Sequence, residues 1–336
     1  MGQNVELKVE GLKKYFPVKR GIKSVLKREP PRFVRAVDGI SFEIRKQQIF
    51  ALVGESGCGK TTTGKLIMKL IEPTEGRIFL RGKDVSHLKS KDEVLKYRKT
   101  VQMIYQDPFS SINPRFRVYD VLEEPLIIHG VGGSRSEREE LIHRALELVR
   151  LTPPDEFVSR FPHMLSGGQR QRVAIARAII LNPEFVVADE PVSMLDVSIR
   201  AEILELMRKL RNDLGLTYLY ITHDLSTARY FSDWIGVMYL GRIIEMGEVD
   251  RVIDNPLHPY TKALLEAVPE PDPGRKDIIK MLPIKGEVPS AINIPPGCRF
   301  HPRCIHAKEG LCDVKHPETI EFEKNHYVEC HLAGSV

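Results

Sequence analysis

The chain has 336 residues, of which 42% are hydrophobic and 28% charged, and this length and composition suit one large globular domain with a smaller one. The formal charge of +5 is mild for this length and does not argue for nucleic-acid binding. The sequence contains no run of roughly 18 apolar residues that would cross a bilayer, and it begins without the apolar run of a signal peptide. We therefore expect a cytosolic globular protein.

Apolar strand-like runs alternate with helix-like runs along the chain, which predicts an α/β domain with a largely parallel sheet. One strand is predicted at residues 49–53 and runs into "GESGCGKT", residues 54–61, and then into a helix. This is the P-loop in the context that it requires. Its glycines let backbone N–H groups face a β-phosphate, Lys60 reaches the β- and γ-phosphates, and Thr61 binds Mg²⁺. The residues assigned to the nucleotide here are Gly54, Ser56, Gly57, Cys58, Gly59, Lys60, Thr61 and Thr62.

A helical segment follows between about residues 118 and 150, where "SEREELIHRALELVR" has the 3.6-residue period of an amphipathic helix. No strand pattern interrupts it, so we expect a helical subdomain inserted into the α/β core, at about residues 107–182. Within that range, "LSGGQ" places Ser166, Gly167 and Gly168 at the start of a helix with exposed N–H groups. This is a second anion-binding loop, and one nucleotide does not need two such loops from one subunit.

The stretch "EFVVADEP" predicts a buried strand with Asp189 and Glu190 at its carboxyl end. Two adjacent carboxylates have separate roles in phosphoryl transfer. Asp189 is expected to hold the Mg²⁺ shell, whereas Glu190 polarises the attacking water.

Three prolines in "VPEPDPG", residues 268–274, should end the preceding helix. We therefore predict a main domain at 1–267 and a small C-terminal tail domain at 268–336. Four of the five cysteines lie in the tail, and their spacing, C-x5-C-x7-C-x17-C, matches neither ferredoxin runs nor zinc ribbons. In a reducing compartment such cysteines are metal ligands or packing residues. The spacing alone leaves both open.

"LSGGQ", residues 165–169, resembles the signature of the ABC ATPases. The resemblance implies a P-loop ABC ATPase domain, with a RecA-like core, an antiparallel β subdomain and the inserted helical subdomain. In this family the signature of one subunit closes on the γ-phosphate held by the P-loop of another. The resemblance therefore implies a dimer with two ATP molecules at its interface. It also assigns four signature residues to the nucleotide, namely Ser166, Gly167, Gly168 and Gln169.

The same resemblance assigns roles to further positions. Gln106 in "IYQDP" is similar to the Q-loop glutamine that contacts Mg²⁺ and water, Asp196 in "SMLD" to the D-loop aspartate, and His223 in "YITHDL" to the switch histidine. Phe16 in "KKYFP" is similar in placement to the aromatic residue that stacks on adenine, with Tyr15 as the alternative. The implied catalytic residues are Glu190, His223 and Gln106, and the implied Mg²⁺ ligands are Thr61, Gln106 and Asp189.

Other stretches resemble the ATPase subunits of oligopeptide/dipeptide importers. They are "QDPFSSINPR", "HPYTKALLEAVPEP", "IKGEVPSAINIPPGCRFHPRC" and the long loop at residues 17–35. The resemblance implies an ATPase on the cytoplasmic face of the membrane that powers peptide uptake. Its partners would be a second related ATPase, two permease subunits and an extracytoplasmic binding protein, with no nucleic acid. Nickel complexes and oligosaccharides remain alternative solutes.

Some of these importers' ATPases carry an iron–sulfur cluster in this tail. The resemblance therefore implies a [4Fe–4S] cluster on Cys298, Cys304, Cys312 and Cys330. Nearby histidines keep zinc as an alternative, and unligated cysteines are the third. Two further hypotheses for the whole chain are a soluble ABC protein of translation or DNA repair and a regulatory metal-binding protein with a vestigial ATPase.

Overall fold

The computed structural model describes residues 4–18, 30–267 and 284–335. Residues 19–29 make up most of the loop at 17–35, and residues 268–283 include the proline-rich boundary. Most of the predicted loop and the predicted domain boundary therefore lie outside the described residues. None of the helices in the described ranges is long and apolar enough to cross a membrane.

The described residues form twelve strands in two sheets. In chain order the strands are β1 (Val5–Pro17), β2 (Phe33–Arg45), β3 (Ile49–Val53), β4 (Glu75–Leu80), β5 (Lys83–Asp84), β6 (Val101–Ile104), β7 (Phe185–Asp189), β8 (Thr217–Thr222), β9 (Trp234–Tyr239), β10 (Arg242–Glu248), β11 (Ile320–Glu323) and β12 (His326–Val328). The smaller sheet is antiparallel, in the order β2-β1-β4-β5. The larger sheet has the order β11-β12-β10-β9-β3-β8-β7-β6.

The centre of the larger sheet is parallel, because β9, β3, β8, β7 and β6 pair in one direction. Strands β3, β7 and β8 are buried at every position, as expected for parallel strands that are covered on both faces. Their continuous apolar runs, such as "IFALV", explain this burial. Since the carboxyl ends of parallel strands meet at one edge, the segments that follow these three strands come together there.

Eleven α-helices are present in the described residues. In chain order they are α1 (Lys60–Ile67), α2 (Lys91–Thr100), α3 (Pro108–Ser111), α4 (Val118–Ile128), α5 (Arg135–Leu148), α6 (Asp155–Val158), α7 (Gly167–Ile179), α8 (Val197–Leu214), α9 (Leu225–Phe231), α10 (Val249–Asp254) and α11 (Pro259–Glu266). Helices α4, α5 and α7 pack against one another between β6 and β7. They bury an apolar stripe from each helix, including Leu122, Ile142 and Ile175. The predicted α/β class is confirmed.

The C-terminal residues extend the main sheet. β12 pairs antiparallel with β10, with His326 opposite Gly247, and β11 pairs in turn with β12. The Nε2 atom of His326 lies 2.8 Å from the carboxylate of Glu245, and both side chains are buried. This part of the tail therefore packs directly on the core.

Candidate functional site

A cleft of about 590 Å³ opens at the carboxyl edge of the parallel strands. Its lining residues come from segments that are distant in the sequence and meet because β3, β7 and β8 are neighbours. The lining residues are Ala36, Gly54, Glu55, Ser56, Gly57, Gly59, Lys60, Thr61, Thr62, Gln106, Glu190, His223 and Leu264. The cleft thus combines the P-loop with all three predicted catalytic residues.

The P-loop curls tightly between β3 and α1. Gly54 has φ 153° and Gly59 has φ 115°, and a Cβ atom at these positions would lie 2.2 Å from Met238 O and 2.1 Å from Ala36 O. Only glycine fits such approaches. The Lys60 ammonium is buried and donates to the carbonyl oxygens of Gly54 at 2.6 Å and Glu55 at 3.0 Å. A basic group therefore lies inside the loop whose N–H groups begin α1, where a phosphate is favoured.

Thr61 and Asp189 form the part of the site that fits Mg²⁺. The Thr61 hydroxyl donates to Oδ1 of Asp189 at 3.0 Å, at the junction of α1 and β7. Burial raises the pKa of Asp189, the hydrogen bond from Thr61 opposes this, and the neighbouring Glu190 charge adds to it. A hydroxyl and a carboxylate are hard oxygen donors of the kind that Mg²⁺ prefers. These two residues are suited to hold the ion.

Glu190 lies between two polar side chains. Gln106 donates from Nε2 to one carboxylate oxygen at 2.9 Å, and Nδ1 of His223 lies 3.2 Å from the other. Glu190 has φ 45°, a left-handed conformation that is uncommon outside glycine and is often found at functional sites. The carboxylate is therefore fixed in the cleft by groups that follow β6 and β8. Gln106 contacts Glu190 in this arrangement rather than the Thr61–Asp189 pair.

The "LSGGQ" residues lie away from the cleft, at the start of α7. The Ser166 hydroxyl accepts from the Gln169 N–H at 3.2 Å, and the Gln169 side chain accepts from the Ser166 N–H at 3.0 Å. This is a capping box, which the pattern Ser-x-x-Gln favours. Ser166 is exposed, and the Gly167 and Gly168 N–H groups of the first helical turn have no backbone acceptor within the helix.

Several predicted nucleotide-binding residues do not line the cleft. Asp196 is exposed at the start of α8, and its side chain makes no capping hydrogen bond. Phe16 is 37% exposed near the end of β1, whereas the Tyr15 hydroxyl donates to Asp38. Cys58 is buried behind the loop, and this burial raises the pKa of its thiol.

Residues that sequence reasoning missed are Ala36, Glu55 and Leu264. Glu55 could have been noticed in the sequence, because a negatively charged side chain is unexpected inside a phosphate-binding loop. Nothing in the sequence marks Ala36 or Leu264, since they come from β2 and α11 and reach the cleft only through tertiary packing.

The prediction of an iron–sulfur cluster in the tail is wrong. Among the residues that the structure describes, no group of three or more His, Cys, Asp or Glu side chains is arranged to hold a metal ion. All four tail cysteines are described, and they are free thiols. Burial raises the pKa of Cys298 to about 12 and that of Cys330 to about 11, and it also raises the pKa of Cys304.

Zinc has no better site in the described tail, because no group of three or more His, Cys, Asp or Glu side chains there is arranged to hold a metal ion. Nδ1 of His301 contacts the Cys298 carbonyl at 2.8 Å, and Nδ1 of His316 contacts the Gly297 carbonyl at 3.2 Å. His326 contacts Glu245, and His331 contacts the Lys315 carbonyl. Cys304 and Cys312 are buried, so packing accounts for them.

The sequence matches two family profiles. Residues 37–193 match the profile described as "ABC transporter", and residues 244–312 match "Oligopeptide/dipeptide transporter, C-terminal region". The second match includes β10, α11 and the start of the cysteine-containing tail.

Curated relatives cover nearly the whole chain. The oligopeptide transport ATP-binding protein AppF of Bacillus subtilis (strain 168) is 46% identical over 330 residues, which are 98% of each chain. The putative oligopeptide transport ATP-binding protein YkfD of the same strain is 48% identical over 90% of each chain. The dipeptide transport ATP-binding protein DppF of Escherichia coli (strain K12) is 44% identical over 93% of this chain and 90% of that protein.

Two solved structures share the fold. A dimeric post-hydrolysis state of the ATP-binding cassette MJ0796, bound to ADP and Pi, aligns with a TM-score of 0.62 at 29% identity, covering 72% of this chain and 98% of that one. CbiO1 of Clostridium perfringens, part of the ABC transporter complex cbiONQ, aligns with a TM-score of 0.63 at 26% identity, over 75% of this chain and 92% of that one. The fold and the order of the site segments are thus those of ATP-binding cassettes.

Proposed function

The chain belongs to the family of ATP-binding proteins of oligopeptide/dipeptide ABC transporters, and from this membership we propose that it hydrolyses ATP to drive the import of peptides. The observation that carries the proposal is the position of Glu190, which Gln106 and His223 hold in the same cleft as the P-loop. A carboxylate oriented beside a phosphate-binding loop suits the activation of water for attack on a γ-phosphate.

The residues of the cleft have separate proposed roles. The P-loop N–H groups and Lys60 bind the β- and γ-phosphates, and Glu190 orients and deprotonates the attacking water. Thr61 and Asp189 would hold Mg²⁺, which would supply positive charge to offset the charge that develops on the phosphate oxygens. His223 contacts Glu190 and lies where it can reach the γ-phosphate. Phe16 is the better candidate for stacking on adenine, because it is exposed and the Tyr15 hydroxyl is engaged by Asp38.

The ATP site is completed by a second ATPase. The Ser166 capping box lies outside the cleft, so the neighbouring Gly167 and Gly168 N–H groups would serve a nucleotide on a partner subunit. Met194 and Val197, which flank Asp196, are 63% and 81% exposed, and such apolar exposure favours a covered surface. The MJ0796 cassette in the comparison is a dimer. We assign the second position to a related, non-identical ATPase.

The remaining partners are two permease subunits and an extracytoplasmic binding protein, with the chain on the cytoplasmic face of the membrane. Ile127 and Ile128, at the end of α4, are 60% and 56% exposed, and Phe116 just before that helix is also exposed. These exposed apolar side chains on the helical insertion suit a permease contact. The transport names of the relatives support this assembly.

The experiment is to purify the chain with its permease subunits and companion ATPase, reconstitute them in liposomes and add the binding protein with a solute. Peptides should stimulate ATP hydrolysis, and they should accumulate on the side of the membrane opposite to the side on which they were added. Stimulation by oligosaccharides or nickel complexes alone would contradict the peptide assignment. Co-purification with ribosomes or DNA in place of permeases would contradict transport, and no hydrolysis in the complete assembly would point to a vestigial ATPase.

A further inference from the structure

The acidic residue of the P-loop is paired with the C-terminal tail. Glu55, whose side chain is 29% exposed, receives two hydrogen bonds from the guanidinium of Arg303, at 2.9 and 3.1 Å. This is a bidentate pair, in which both carboxylate oxygens are engaged. It joins residues that are 248 positions apart in the sequence.

The Arg303 side chain is held in place by residues other than Glu55. Its side chain is only 5% exposed, and its guanidinium lies 5.8 Å from the ring centre of Tyr239 and 6.0 Å from that of Phe300. Its backbone N–H donates to the Phe300 carbonyl, and its own carbonyl accepts from the Lys285 N–H. The guanidinium is thus pre-organised by packing, and little side-chain entropy is lost in pairing with Glu55.

The same aromatic cluster also holds the Glu55 backbone. The Glu55 N–H donates to the Tyr260 hydroxyl at 3.0 Å, and the Tyr260 and Phe300 rings are 5.4 Å apart. Phe300 further contacts Tyr239 edge-on at 5.4 Å. The tail and α11 therefore hold both the main chain and the side chain of one P-loop residue.

From this geometry we propose that Arg303 is a positioning residue for the nucleotide site, which neutralises and restrains the Glu55 carboxylate so that the P-loop accepts a triphosphate. Glu55 lines the cleft, and an uncompensated carboxylate there repels the phosphates. Since Arg303 belongs to the tail, the tail sets the affinity for ATP. The inference rests on the proposed ATP site and extends it to a residue outside the P-loop and signature motifs.

The test is a charge cycle on the purified full chain, with Mg²⁺ and the slowly hydrolysed analogue ATPγS in titration calorimetry. Arg303→Ala should weaken binding about tenfold, because the Glu55 charge then faces the phosphates unpaired. Arg303→Ala combined with Glu55→Gln should recover binding to within about threefold of wild type, since the repelling charge is gone. Arg303→Lys, which keeps the charge without the bidentate geometry, should fall between.

A matched control is Arg242→Ala, which breaks another buried pair to the tail. Arg242 donates to both carboxylate oxygens of Glu329, at 3.0 and 2.9 Å, and it does not line the cleft. This variant should lose thermal stability and keep its affinity for ATPγS. If Arg303→Ala fails to fold, Arg303→Gln, alone and with Glu55→Gln, provides the same comparison.

Each outcome decides the inference. Recovery in the double variant supports it. Wild-type affinity in Arg303→Ala, or equal losses in the single and double variants, overturns it, because the tail would then act only through packing. A wild-type chain that binds no ATPγS overturns the proposed ATP site itself, a result that differs from wild-type binding with an inert Arg303.

Discussion

At the residue scale, the proposed role of Glu190 as the catalytic base depends on how its carboxylate is held. Each of its oxygens has one partner, the Gln106 amide at 2.9 Å and the His223 imidazole at 3.2 Å. These partners come from segments after β6 and β8, so the strand order of the sheet places both groups beside the Glu190 carboxylate. A base that is already oriented costs less reorganisation when water attacks the γ-phosphate.

His223→Ala should therefore lower the turnover of ATP by at least about a hundredfold in the assembled transporter. The affinity for ATPγS should change by less than about threefold, because the P-loop and Lys60 supply most phosphate contacts. Phosphate release and calorimetry measure the two quantities. His87→Ala, at an imidazole that is 68% exposed on the surface, is the control and should change neither. Undiminished turnover in His223→Ala would remove His223 from the catalytic set.

His258 makes the stability of the chain depend on pH. Its ring is buried, and burial lowers its pKa from 6.5 to about 4. Below pH 6.5 the unfolded chain therefore binds a proton that the folded chain does not, so this residue destabilises the fold as pH falls from about 6.5 to about 4. Its Nδ1 accepts from the Tyr260 N–H at the start of α11.

His258→Asn keeps a capping acceptor and removes the titration. The free energy of unfolding is measured by urea denaturation at pH 7 and at pH 5. Its fall between these two pH values should be about 1–2 kcal/mol smaller in the variant than in the wild-type chain. An identical pH dependence in the two proteins would show that His258 titrates normally.

At the element scale, the start of α7 has an observed role as a helix cap and a proposed role at the nucleotide, which a substitution can separate. Ser166 caps the helix, and the residues at this helix start do not line the chain's own cleft. Ser134 caps α5 with the same bond, from the Glu137 N–H at 3.1 Å. The two serines are thus matched as caps, and they differ in their proposed role at the nucleotide.

Ser166→Ala and Ser134→Ala should each cost about 1 kcal/mol of stability. Only Ser166→Ala should reduce ATP turnover in the assembled transporter, and it should leave the affinity of the isolated chain for ATPγS unchanged. Denaturation, phosphate release and calorimetry measure these effects. Equal turnover in the two variants would contradict the assignment of α7 to the partner's ATP.

The elements also show which features the sequence could predict. Fewer than ten consecutive residues specify each of three features, namely the P-loop, the acidic end of β7 and the start of α7. In the structure, each of these stretches lies at the strand or helix end that its sequence predicts. Gln106 and His223 have no such local signal, and only family resemblance pointed to them. The pairing of β12 with β10 was not foreseen, because a strand of three residues has almost no pattern.

At the scale of the whole molecule, the tail is where sequence reasoning was least successful. Family resemblance favoured a metal cluster where cysteine spacing alone decided nothing, whereas the described residues hold these thiols without a metal-binding arrangement. The pairing of Arg303 with Glu55 was not foreseen either, since contacts between residues 248 positions apart arise only from the tertiary fold. The division at residue 267 stays a prediction, because residues 268–283 are not described.

The central claim is that ATP hydrolysis by this chain, with Glu190 as its base, powers peptide import. The most direct measurement is ATP-dependent peptide uptake and phosphate release by the reconstituted transporter, with wild-type chain and with Glu190→Gln. The account predicts that the variant binds ATPγS as wild type does and loses at least about a hundredfold in both rates. Uptake and hydrolysis at wild-type rates in Glu190→Gln would contradict it.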